Sequence, residues 1–185
     1  MRNEEVRILF VGASIIEGWR SVATDVWTNV LEPAGALNLG IPGETSGQLM
    51  WRVQNGFLRG LRPDVVVLQV GANDRQVKAE HVAENIADVV REMRKQIPRA
   101  RIILFSIFPT DRAGSPLRRK NEQTNALLNA LAGGEAVRVV DCGNLFVDEN
   151  GETRPELLPD GLHLSREAYA LWAGVLFPLL GLTSS

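Results

Sequence analysis

The chain has 185 residues, 45% hydrophobic and 23% charged, with a net charge of −2 and a pI near 5.8. That length suits one domain, residues 1–185, with a sizeable core, and so small a charge provides no field to gather nucleic acid or anionic lipid. A single cysteine, Cys142, excludes an intramolecular disulfide and zinc sites built on paired cysteines.

The N-terminal Met-Arg-Asn-Glu-Glu lacks the form of a signal peptide. No segment nears the roughly 20 apolar residues of a membrane span, so the expectation is a soluble, cytoplasmic protein. The first apolar run, Val6 to Val11, ends in Gly12. A weaker run covers Ala36 to Leu39, and Thr45-Ser46-Gly47-Gln48 then has the form of a capping box opening a helix through Leu49, Val53 and Phe57. Asp64 to Val70, ending in Gly71, is a second strong strand pattern. From near Ala79, Val82, Ile86, Val89, Met93 and Ile97 recur on one helical face. Arg101 to Phe108 ends in Pro109, and Ser115-Pro116 supplies an N-cap and a first-turn proline for a helix from Leu117 to Leu131. Val137 to Cys142 is a weaker strand, with Cys142 read as a buried thiol at its end. Ser165 caps a last helix with Ala168, Trp172, Val175 and Leu179 inward.

Near-continuous apolar runs mark strands buried on both faces, as in parallel sheets. Their alternation with helices predicts a doubly wound α/β sandwich with right-handed crossovers. The longest irregular pieces are 71–78, 109–116 and 143–164, and long loops in compact domains are often functional.

In such sheets ligands bind beyond the carboxyl ends of the strands. Four segments fall there: Gly12-Ala13-Ser14, Gly40 to Thr45, Gly71-Ala72-Asn73-Asp74, and Asp160-Gly161-Leu162-His163. Taken singly, each has a bland reading. Ser14 could be a helix N-cap, Gly43 a turn glycine with positive φ, Asn73 a loop cap and Asp160 a turn cap. Taken together they offer one residue for each role in acyl transfer. A serine needs a base, the base needs a carboxylate to fix its tautomer, and the oxyanion needs preorganised donors. His81, the other histidine, falls on the polar face of its helix. The basic cluster Arg118, Arg119 and Lys120 reads as a solvated helix face. Two histidines so far apart form no His-Glu-x-x-His metal site, and Gly40-x-x-Gly43-x-x-x-Gly47 has neither dinucleotide spacing nor a P-loop lysine.

These segments resemble the blocks of the SGNH (GDSL-like) hydrolases. Gly12-Ala13-Ser14 resembles the first, Asn38 to Thr45 the second, Gly71-Ala72-Asn73-Asp74 the third, and Asp160-Gly161-Leu162-His163 the fifth. Ala36 to Gly40, Leu49 to Gly56 and Pro116 to Asn121 further resemble the catalytic subunits of the intracellular platelet-activating-factor acetylhydrolases. The resemblance implies a three-layer, flavodoxin-like α/β/α fold with five parallel strands in the order 2-1-3-4-5. It also implies a metal-free triad of Ser14, Asp160 and His163, needing no cofactor, and a preference for short acyl groups. The oxyanion donors would be the backbone N–H groups of Ser14 and Gly43 and the side-chain amide of Asn73. The partner would be a small ester, and a homodimer stays open.

One departure stands out. The family's aspartate before the nucleophile is Ala13 here, so the nucleophile loop is either looser or braced by other groups such as Glu17. A carbohydrate O-deacetylase with the same residues, and a weakly active or non-catalytic binding domain, therefore remain as alternatives. Pocket walls are expected from the loops 15–20, 109–118 and 156–164. Ile15, Ile16, Leu162 and Leu164 either close the acyl pocket or point into the core.

Overall fold

The computed structural model describes residues 6–182. Five strands, β1 (Ile8–Gly12), β2 (Ala36–Asn38), β3 (Val65–Gln69), β4 (Arg101–Phe105) and β5 (Val137–Val140), form one sheet in the order β2-β1-β3-β4-β5. Every pairing is parallel, with Ile8 beside both Ala36 and Val65, Val65 beside Arg101, and Ile102 beside Val137. The family's strand order is therefore the order found.

Helices cover both faces because successive strand residues point to opposite sides. Leu9, Val11, Val66, Leu68, Ile102 and Leu104 pack with Leu49 and Val53 of α3 (Ser46–Gln54) and with Val82, Ile86, Val89 and Met93 of α4 (Ala79–Gln96). The intervening residues Ile8, Phe10, Val65, Val67, Ile103 and Phe105 face α1 (Ser14–Ser21) and α6 (Arg166–Leu180). This second face is the aromatic one. Trp19 meets Tyr169 at 4.9 Å and Trp172 at 5.0 Å between ring centroids, within the range of favourable aromatic pairs.

The expected caps form. Thr45 and Gln48 make a reciprocal capping box at α3. Ser115 and Ser165 accept N–H groups at the starts of α5 (Pro116–Leu128) and α6. Three differences have local causes. Residues 15–20 are helix α1, whose apolar positions Ile15, Ile16 and Trp19 are all buried. The stretch before β2, for which the sequence predicts no element, holds a short α2 (Thr24–Val26) running into a π-helical turn (Trp27–Leu31), with Trp27 and Leu31 buried. Strands β4 and β5 stop short of Phe108 and Cys142, where the chain turns out of the sheet. Cys142 is buried as expected, and burial pushes its thiol up to about 12.

Candidate functional site

The rim at the carboxyl ends begins with Ser14, the first residue of α1, directly after β1. The passage from strand to helix requires glycine at position 12. Its φ is +149°, and a Cβ there would sit 1.9 Å from the carbonyl oxygen of Gln69 on the neighbouring strand. Ala13 occupies the N-cap position and makes no side-chain cap bond. The start of α1 is held from outside instead. Asn38 Nδ2 donates to the Ile16 carbonyl (2.7 Å), the Tyr169 hydroxyl donates to the Ile15 carbonyl (2.7 Å), and Ile41 N–H donates to the Gly12 carbonyl (2.9 Å). Glu17, one of the groups that could brace the loop, instead accepts the Ser21 hydroxyl at 2.9 Å. Of the two readings, a looser loop or one braced by other groups, the bonds to α1 favour bracing, and Asn38 and Tyr169 supply it.

The structure brings His163 and Asp160 to this serine. Ser14 Oγ lies 3.1 Å from His163 Nε2, and His163 Nδ1 lies 2.6 Å from Asp160 Oδ2. A carboxylate only accepts, so Nδ1 carries the proton and Nε2 is left to accept from the serine hydroxyl. The other carboxylate oxygen, Oδ1, accepts the backbone N–H groups of Leu162 (3.0 Å) and His163 (2.7 Å). Asp160 thus caps its own turn and fixes the imidazole. Its partial burial alone would raise its pKa, but the His163 ring and these two N–H donors outweigh that and hold it at about 2.

Gly43 and Asn73 sit on the two loops flanking Ser14. Gly43 has φ +81°, is exposed, and has open space where a Cβ would be. Asn73 Nδ2 donates to the carbonyl of Glu44 at 3.0 Å, joining the two loops with one amide hydrogen and leaving the second unused by that bond. Two buried carboxylates reinforce this side. Asp74 accepts both the backbone N–H (2.9 Å) and the hydroxyl (2.8 Å) of Ser46, tying the third loop to the first turn of α3. Glu44 lies 2.9 Å from Arg52 Nε, as an ion pair and not as an aligned hydrogen bond. Burial pushes Glu44 up to about 7 against the pull of that guanidinium. Arg52 in turn donates to the Leu39 carbonyl at 3.2 and 3.3 Å. Asp74 stands in the third sequence motif, which assigns it no role. Glu44 and Arg52 fall within stretches that resemble the family, but nothing in the sequence indicates that they pair.

Other expectations change. Ile15, Ile16 and Leu164 lie in the core beneath the site and cannot wall a pocket, while Leu162 is only partly buried. His81 is exposed on α4, as expected. Of the basic cluster, Arg119 is solvated, Lys120 donates to the Asp74 carbonyl at 2.8 Å, and Arg118 is buried. Beside Gly43 runs a cleft of about 320 Å³ lined by Ile41, Pro42, Glu44, Gln48, Trp51 and Arg52. Trp51 is 64% exposed and Ile41 44%. A larger hollow of about 770 Å³ lies between 62–64 and 95–100, at the amino ends of β3 and β4, away from this rim. Among the described residues, no three His, Cys, Asp or Glu side chains gather as metal ligands, and no helix is long and apolar enough to cross a membrane.

The profile of the GDSL-like Lipase/Acylhydrolase family matches residues 10–171. The chain is 33% identical over 180 residues to the platelet-activating factor acetylhydrolase IB subunit alpha1 of Rattus norvegicus, covering 97% of this chain and 77% of that protein. It is 35% identical over 170 residues to the alpha2 subunit of Gallus gallus, covering 91% and 73%. A GDSL-like lipase from Bacteroides thetaiotaomicron superposes with a TM-score of 0.79 at 24% identity, over 95% of this chain and 88% of that one.

Proposed function

The chain belongs to the GDSL-like lipase/acylhydrolase family and is a carboxylic ester hydrolase, and from that premise we propose that it cleaves short-acyl, acetyl-type esters through an acyl-serine intermediate. Ser14 Oγ attacks the ester carbonyl while His163 Nε2 takes its proton. The resulting oxyanion is held by the backbone N–H groups of Ser14 and Gly43 and by the free amide hydrogen of Asn73. The tetrahedral species collapses, and the alkoxide leaves with the proton from His163. Water then repeats the sequence on the acyl-serine and releases the carboxylic acid. Asp160 keeps the imidazole in the required tautomer and steadies the imidazolium.

The observation that carries the acyl-serine reading is the continuous relay from Ser14 Oγ through His163 to Asp160, at 3.1 and 2.6 Å; the short-acyl part rests on the likeness to the platelet-activating factor acetylhydrolase subunits. Hydrolysis of acetyl to octanoyl nitrophenyl esters tests it. Activity should peak at acetyl to butyryl and vanish in Ser14→Ala, together with covalent labelling by an organophosphonate. Asn73→Ala should lower kcat by about 10²–10³, the usual loss for one oxyanion donor. Full activity in Ser14→Ala would reject the nucleophile, and a steady climb to octanoyl would reject the short-acyl reading.

The exposed Trp51 beside Gly43 favours a second reading, a carbohydrate O-deacetylase with the same residues, because it offers an aromatic face to a sugar ring. Acetylated sugars added to the same panel would then give a lower KM than nitrophenyl acetate, and Trp51→Ala would abolish that advantage.

A further inference from the structure

Arg118 is 5% exposed, yet among the described residues no carboxylate pairs with it. Burying a cation is costly unless its donors are satisfied. Here three backbone carbonyls take one hydrogen from each of its three nitrogens. Nε donates to Thr110 (3.0 Å), Nη2 to Asp111 (2.8 Å) and Nη1 to Gly151 (3.2 Å). One side chain from the first turn of α5 thereby gathers two separate loops. Asn121, one turn on, adds Nδ2 to the buried Thr110 hydroxyl at 3.0 Å.

The gripped segment leads to the site. Asp111 is the one non-glycine residue with positive φ among those described, at +62°, a conformation that needs support from its surroundings. Its N–H donates to the Gly161 carbonyl at 2.9 Å, and Gly161 lies between Asp160 and His163. Those two side chains are themselves 56% and 50% exposed, on an irregular stretch between the 3-10 turn at Gly143–Phe146 and α6. They are thus little packed, so their height above Ser14 is set by the turn's flanks, where Leu158 and Leu164 are buried, and by backbone bonds, of which, among the described residues, the Asp111–Gly161 bond is the one that comes from another loop.

We infer that Arg118 is a positioning residue for the His163–Asp160 turn, acting through the carbonyl of Asp111 and the Asp111–Gly161 hydrogen bond. The inference rests on the proposed roles of Ser14 and His163. The serine–histidine contact tolerates little error, because a misplacement of about 1 Å can cost about 10² in rate. A lysine at 118 would keep the charge but could not reach three carbonyls in a planar fork.

The test uses nitrophenyl acetate with Arg118→Lys and Arg118→Ala, each made in the wild-type and His163→Ala proteins. In the wild-type background Arg118→Lys should lower kcat about tenfold or more while KM stays within about twofold. In the His163→Ala background the same change should alter the residual rate less than about twofold, since residues acting through one group are not additive. Guanidinium at non-denaturing concentration should restore kcat several-fold in Arg118→Ala and leave the wild type unchanged. An unaltered kcat in Arg118→Lys, or an equal fractional loss in both backgrounds, would overturn the inference and leave Arg118 a fold residue. A wild-type rate in His163→Ala alone would instead overturn the role of His163, and the inference with it.

Discussion

Replacing Asp74 by alanine tests how the rim is joined. The carboxylate is 3% exposed and accepts two donors from one residue, the Ser46 N–H at 2.9 Å and the Ser46 hydroxyl at 2.8 Å. Ser46 is fully buried and opens α3, so its N–H has no intrahelical acceptor. Hydrogen bonds to a charged group contribute about 1.5–3 kcal/mol each, and an abandoned buried donor keeps its full desolvation cost. The hydroxyl can rotate toward another acceptor and keeps the bond it accepts from Asn85 Nδ2 at 3.1 Å, but the N–H is fixed by the helix and cannot. The expected loss is therefore nearer one such bond and a fraction than two, about 3 kcal/mol. For a chain of this size that lowers Tm by about 6–12 °C. Asp74→Asn keeps one acceptor but turns its NH₂ toward the other donor, and should fall between the two. Calorimetric melts of the three proteins at one pH measure this. A drop below about 2 °C in Asp74→Ala would mean that water or a shifted side chain satisfies Ser46, and the account of how these loops are tied would fail.

Two further outcomes follow from the same geometry. Ala13→Asp supplies an N-cap acceptor where none exists, worth about 1 kcal/mol in helix stability, so Tm or kcat should rise; no gain in either would show that the Asn38 and Tyr169 bonds already hold the nucleophile turn. Glu44, held up to about 7 by burial against an unfolded value of 4.5, makes the folded state bind its proton more tightly. Wild-type stability should then fall by at most about 3 kcal/mol as pH rises from 4.5 through 7, and Glu44→Gln should lack that fall. Urea unfolding at pH 5 and pH 8 gives both differences, and an identical pH dependence in the two proteins would show that Glu44 is already ionised in the folded state at pH 5.

The parts of this molecule legible in the sequence are those that depend on neighbours along the chain. Strand β3 shows itself as a run of valines because both its faces are covered, and α4 because its apolar residues return every turn. The Thr45 capping box and the Asp160–His163 turn are complete within four residues. The rim is legible too, because in a parallel sheet each strand delivers its following loop to the same edge, so four short motifs need no long-range information to be placed together. How those loops are held is not legible. Tyr169 and the Ile15 carbonyl are 154 residues apart, and Asn38 reaches Ile16 from a neighbouring strand; neither pairing leaves a periodic or local trace. Arg118 misleads for the same reason. In sequence it is one of three adjacent cations on a polar helix, and only the approach of the 110–111 and 151 loops removes it from water. Ile15, Ile16 and Leu164 are the converse case, since an apolar residue beside a reactive one satisfies either a pocket or a core, and only the packing of α1 and of the segment before α6 against the sheet puts them in the core. Reactive groups can be recognised by type because their chemistry restricts the choice to a few side chains. Bracing groups cannot, because any donor of suitable length serves, and which one does so is fixed only when the loops meet.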